Sequence, residues 1–231
     1  MSYRSEQVEV LASVGCGLIT LARGGLIVGG MPVAHAWDDR QGSIGQYLLR
    51  LPFDRTEIER RLRQIEWFVA NGIPEYQSLA SVFEPIAPLF APGTYQLTFP
   101  IERDGVWDLI DWNERRGDEP YREEFYPYGL QLIATQPRVR LDAERIEHWS
   151  RAIAKGARPI VIAVRAANAP SFHFILDGHH KAEAYLAHRI HPAVLELETE
   201  LGPELSESER AALTARSRPA PARAARRRPR R

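Results

Sequence analysis

The stretch Phe172-His173-Phe174-Ile175-Leu176-Asp177-Gly178-His179-His180-Lys181-Ala182-Glu183-Ala184-Tyr185-Leu186-Ala187-His188 decides how the chain is read. Phe172 to Leu176 is a β-prone run broken only by His173, and it predicts a strand. Ala182, Ala184, Tyr185, Leu186 and Ala187 predict a tightly packing helix that ends near His188. Asp177-Gly178 lies between the two. A strand that turns directly into a helix leaves the first amides of the helix without partners, and the aligned peptide dipoles add partial positive charge there. That is the local chemistry of an anion site.

The five residues at the turn define a candidate site. Gly178 permits the positive φ angle or close approach that such a turn needs. Lys181, in the first helical turn, can aim a mobile ammonium at a bound phosphate. His179 and His180 can donate hydrogen bonds or move protons near neutral pH. Asp177 has three roles open to it: orienting a histidine, binding a metal carried by a nucleotide, or capping the helix. The candidate catalytic residues are thus Asp177, His179 and His180, and the candidate cofactor-binding residues are Gly178, His179, His180 and Lys181. The plainer alternative is a simple turn and cap with both histidines exposed. No ligand-spacing motif supports a zinc site from His173, Asp177 and His179, so no protein-held metal is expected.

Upstream, Leu141-Asp142-Ala143-Glu144 starts a helix with Asp142 as its cap, Ile146, Trp149 and Ile153 as its apolar stripe, and Gly156 as its stop. Pro159 to Val164 reads as a buried strand, Ala167-Asn168-Ala169-Pro170 as a turn, and Ala193 to Leu197 as a further strand. The order is helix, strand, strand, helix, strand.

Pro137-Arg138-Val139-Arg140-Leu141-Asp142, the following helix, Gly156, Pro159-Ile160-Val161, and Ile175 through Ala184 together resemble the ParB/sulfiredoxin superfamily in order and spacing. The resemblance covers roughly residues 136–200. It implies a mixed sheet with helices and a pocket for nucleotide phosphates at the turn from Gly178 to Lys181. Members include partition proteins that bind CTP, sulfiredoxins that use ATP, a free serine kinase, and proteins described as ParB-like nucleases. ATP or CTP with magnesium is therefore the cofactor that the resemblance implies. Lys181 stands where the family usually has arginine, keeping the charge without the bidentate fork. His179 stands where sulfiredoxins place their reactive cysteine, which argues against sulfinic acid reduction. The Glu-Arg-Arg version of the motif is absent and no helix-turn-helix segment follows, which argues against a centromere clamp.

The first 135 residues resemble no family and read as a β-rich region. Short apolar runs punctuated by Gly24-Gly25 and Gly29-Gly30 predict antiparallel hairpins. Ile58, Leu62, Ile65 and Phe68-Val69 predict a helix from Asp54 to Ala70, with Asp54 as cap and Asn71-Gly72 as stop. Tyr95 to Phe99 and Val106 to Ile110 predict a second hairpin through Arg103-Asp104-Gly105. Trp107, Trp112, Tyr121, Phe125, Tyr126 and Tyr128 lie among acidic residues, so they are expected to pack at a domain seam and not to stack on bases.

Residues 201–215 carry a predicted helix, from Ser206 to Ala215, and residues 216–231 form an arginine-rich tail expected to be disordered. Eight of those last sixteen residues are arginine; removing them from the 30 basic residues leaves 22 against 30 acidic ones, a net charge of −8 for residues 1–215. An acidic body is a poor general DNA binder, while the tail is either a nucleic-acid anchor or a solvated terminus. The single cysteine, Cys16, excludes an intrachain disulfide. No run of about 18 apolar residues occurs, and the N-terminus lacks a signal-peptide pattern. A cytoplasmic protein with no membrane partner is expected.

The sequence therefore predicts an α+β protein that binds nucleotide phosphates, as a nucleotide-dependent phosphotransferase or hydrolase. A non-catalytic nucleotide-sensing or regulatory module and a ParB-like nuclease are the alternatives.

Overall fold

A computed structural model describes residues 3–12, 17–38, 45–49, 54–100, 106–110, 122–125, 129–166, 172–199 and 202–217. Within these the fold is α+β, built on two sheets. The larger has seven strands in the order β1 (Arg4–Val10), β6 (Gly93–Phe99), β12 (Ala193–Thr199), β10 (Ile160–Ala166), β11 (Phe172–Asp177), β9 (Leu130–Ile133) and β7 (Trp107–Ile110). The smaller is antiparallel and contains β2 (Ile19–Ala22), β3 (Gly25–Val28), β4 (Met31–Asp38), β5 (Gly45–Leu49) and β8 (Arg122–Phe125). Both Gly-Gly pairs sit at turns of this second sheet, where Gly24, Gly29 and Gly30 adopt positive φ.

The central strands of the large sheet are apolar on both faces because both faces are covered. Ile160, Ile162 and Val164 of β10 join the main core, shared with the small sheet, α1 (Thr56–Leu62), α2 (Glu66–Asn71) and α3 (Leu79–Phe83). Val161 and Ala163 join a second core under α4 (Ala143–Ala154) and α5 (His179–His188). Alternation along β11 likewise sends Phe172, Phe174 and Leu176 to the main core and Ile175 to the second. His173, fully buried, pairs through Nε2 with the Glu196 carboxylate on β12. Arg165 Nε lies 3.2 Å from the same carboxylate and its guanidinium also pairs with Glu198, so the charges buried at this end of the sheet are partnered.

Strands from both sides of residue 136 share the seven-stranded sheet. β12 pairs in parallel with β10 on one side and antiparallel with β6 on the other, while β11 pairs in parallel with β9. α5 carries the chain from β11 across β10 to β12. α6 (Glu207–Ser217) covers Ala22 and Ile27 with Leu213, and Leu205 joins that cluster.

Two expectations are corrected. β6 and β7 do not form a hairpin: β6 lies between β1 and β12, whereas β7 sits at the opposite edge in parallel with β9. The Asp104-Gly105 signal was local, and the partners of both strands come from distant sequence. The helix from Asp54 to Ala70 is interrupted, with a 3-10 turn over Arg63–Ile65 separating α1 from α2. Cys16, the Arg103 to Gly105 turn, Trp112, Tyr121, Tyr126, Tyr128, the Ala167 to Pro170 turn and the tail from residue 218 onward lie outside the described residues.

Candidate functional site

β11 ends at Asp177, which pairs with Ile162 beyond a register shift between the two strands. Gly178 then takes φ 102°, and a Cβ at that position would stand 3.0 Å from Val161 Cα. Both the left-handed backbone and the close approach to β10 require glycine. The Gly178 carbonyl accepts the Ala182 amide at 2.8 Å, which starts α5. Gly178 has no side chain with which to cap the amides of the first turn.

The side chains of that turn are held by specific partners. His179 is buried, and its Nε2 accepts the Thr135 amide at 3.0 Å. An acceptor at Nε2 leaves the ring proton on Nδ1. Burial, followed by the positive field of Arg55, lowers the His179 pKa well below the ordinary histidine value, against the pull of Asp177. His180 is half-buried, and its Nε2 accepts the Asp142 amide at 3.0 Å, which docks the start of α4 on α5. Burial and then Arg145 lower its pKa, with Asp142 and Asp177 opposing.

Lys181 is also buried; its Nζ lies 3.0 Å from Asp177 Oδ2 and 5.3 Å from the centre of the Trp149 ring. Burial works against ionisation of Asp177, but Lys181, His179 and Arg55 together bring its pKa below the usual carboxylate value. Glu183, two residues beyond Lys181 on α5, is buried and pairs with Arg138 at 3.2 Å. Its pKa is raised by burial, with Arg138 opposing.

Sequence reasoning missed two residues that organise this turn. Arg55, immediately before α1, donates from Nη2 to the Leu176 carbonyl at 2.7 Å and from Nη1 to Thr135 Oγ1 at 3.4 Å. Burial lowers its pKa, while Asp177 and Glu59 act to raise it. Thr135 donates its hydroxyl to the Ile175 carbonyl at 2.5 Å, so one threonine links Arg55, β11 and His179. A signal for Arg55 was present: a cation at a helix N-terminus opposes the dipole, and such a residue needs a carbonyl or carboxylate elsewhere.

These elements enclose a cavity of about 370 Å³. Asp177, Gly178, His179, His180 and Lys181 all line it, together with Gln136, Arg145 and Trp149, and the opposite side is formed by α1 and α2. The lining holds four cations, Arg55, Arg63, Arg145 and Lys181, against three carboxylates, Glu59, Glu66 and Asp177. Arg55 and Arg63 share their segment with Glu59 and Glu66, whereas Arg145 and Lys181 stand against Asp177 alone, so the net positive charge of the lining lies on the α5 side. Among the described residues no group of three or more His, Cys, Asp or Glu side chains is gathered to hold a metal ion, and no helix is long and apolar enough to cross a membrane.

Comparison of the chain with protein-family models, curated proteins and solved structures returned no match.

Proposed function

We propose that the protein binds the phosphates of a nucleotide, ATP or CTP, at the turn from Asp177 to Lys181 and acts as a nucleotide-dependent phosphotransferase or hydrolase. The observation that carries this reading is the placement of an uncapped α5 N-terminus, Lys181 and Arg145 on one cavity wall. The resemblance of residues 136–200 to the ParB/sulfiredoxin superfamily points to the same turn. First-turn amides and the α5 dipole would take the phosphate oxygens, with the two cations neutralising their charge. Asp177 fits a magnesium ion carried in with the phosphates, since such ions need only one or two protein carboxylates. Occupation of Asp177 by that cation would release Lys181 to the phosphate.

His179 serves in this scheme as a positioning residue, because its Nε2 is engaged by Thr135 and its burial keeps it neutral. Asp177, its side chain 35% exposed, is the carboxylate of the turn that the scheme assigns to the cation.

A second reading, a nucleotide-sensing module without turnover, is favoured by one observation. Both imidazole Nε2 atoms accept backbone amides, and the Lys181 ammonium is paired with Asp177. Incubation with ATP or CTP and magnesium, followed by chromatography of the products, separates the two. The enzyme reading predicts nucleoside diphosphate or a transferred phosphoryl group, lost in Asp177→Asn. Tight binding with no product over hours leaves the sensing module.

A further inference from the structure

The cavity has two walls of different chemistry. One carries the α5 turn, Lys181 and Arg145. The other is formed by the segment from Arg55 to Ala70, in which Glu59, Leu62, Glu66, Val69 and Ala70 follow one another at steps of three, four, three and one residues, with Arg55 and Arg63 lining the cavity from the same segment. Glu59 and Leu62 lie on α1 and Glu66, Val69 and Ala70 on α2, on either side of the 3-10 turn over Arg63–Ile65, and all five line the cavity. Leu62 and Val69 are buried, Ala70 is half-buried and Glu66 is exposed.

A bare phosphate or polyphosphate needs cations and amide donors. Carboxylates beside it are repulsive, and apolar carbons give it nothing. With Arg55 3.9 Å from Glu59 and Arg63 on the same segment, Glu59 and Glu66 make this wall electrically balanced, and so less favourable to a polyanion than the wall of Lys181 and Arg145. They suit a neutral group rich in donors, because an ionised carboxylate accepts strong hydrogen bonds from hydroxyl and amino groups. Leu62, Val69 and Ala70 supply the apolar surface that the carbon framework of such a group would cover. At about 370 Å³ the cavity is also in the range that holds a whole small-molecule ligand.

We infer that the α1–α2 face is the recognition wall for the nucleoside half of the ligand, so that the protein takes an intact nucleotide in preference to free phosphate or polyphosphate. Ribose hydroxyls or a base amino group donate to Glu59 and Glu66, and the phosphates lie at the opposite wall. This rests on the reading of the cavity as a phosphate site, and it gives the first segment of the chain a direct part in ligand selection.

The test is isothermal titration of the full chain with ATP, CTP and inorganic tripolyphosphate, each with magnesium. At least one nucleotide should bind about tenfold or more tightly than tripolyphosphate. Glu66→Gln, at an exposed position that does not threaten the fold, should weaken the nucleotide several-fold while leaving tripolyphosphate unchanged or tighter. Ala70→Phe, which fills the apolar wall, should weaken only the nucleotide, with melting temperature confirming that the variant is folded. Equal affinity for nucleotide and tripolyphosphate, or equal weakening of all three ligands by both variants, overturns the recognition wall and leaves the phosphate site standing. If Lys181→Ala leaves tripolyphosphate affinity unaltered, or if none of the three ligands binds, the phosphate site itself is wrong and the inference falls with it.

Discussion

His179 and His180 are both drawn below the ordinary histidine value of 6.5, and His35, half-buried beside Trp37, is lowered by desolvation and then by Arg210 to about 4. A depressed pKa in the folded state means that the unfolded chain binds more protons once the pH falls below 6.5. The stabilisation is complete above that value and is lost progressively as the pH drops toward the folded pKa. Asp177, lowered from 3.8, acts in the same direction at still lower pH, whereas Glu183, raised from 4.5, opposes it. Melting temperature should therefore fall between pH 7 and pH 5. His179→Gln, whose amide oxygen reaches the position of Nε2 and can accept the Thr135 amide but cannot titrate, should flatten part of that slope. A melting temperature that is constant or rises over this interval contradicts the neutral, buried state of these rings.

At the scale of elements, what was legible followed local rules. Asp142 accepts the Glu144 amide at 2.8 Å, and Ser206 and Glu209 cap each other reciprocally at the start of α6, because a short polar side chain before an apolar stripe has few other uses. Gly178 was legible for a related reason, since an Asp-Gly between strand and helix favours a left-handed residue. The break at Arg63–Ile65 was hidden because Ile58, Leu62 and Ile65 keep their periodicity through it. The position of Arg55 before a helix signalled that it needs a partner, but the partners themselves, Leu176 and Thr135, were hidden because they lie 121 and 80 residues away. Arg55 ties α1 to the end of β11, so Arg55→Ala should leave the Leu176 carbonyl without its donor and cost about 1–3 kcal/mol in urea denaturation. A loss below about 0.5 kcal/mol would place Arg55 among ordinary surface residues.

For the whole molecule, the α+β class could be read from the alternation of strands and helices, but the sharing of one sheet could not. Strand pairing across long sequence separations leaves no periodic mark, and the false β6–β7 hairpin shows a turn signal outweighed by such pairing. One consequence concerns the resemblance over residues 136–200. Of the seven strands, β1, β6, β7 and β9 come from the first segment and flank β10, β11 and β12 on both sides. A fragment spanning residues 136–200 would expose the edges of β12 and β11 and lose the main core beneath them. Expressed alone, it should show no cooperative thermal transition and poor amide dispersion. A fragment that melts cooperatively would show that the two segments are separable folding units.

The central claim is that an anionic ligand docks where β11 gives way to α5. Backbone amide chemical shifts of the full chain, followed during titration with ATP or CTP and magnesium, test it directly. The account predicts the largest perturbations at Gly178, His179, His180 and Lys181, with slower hydrogen exchange of those amides in the complex. Nucleotide binding that shifts resonances elsewhere and leaves these four unmoved would contradict it.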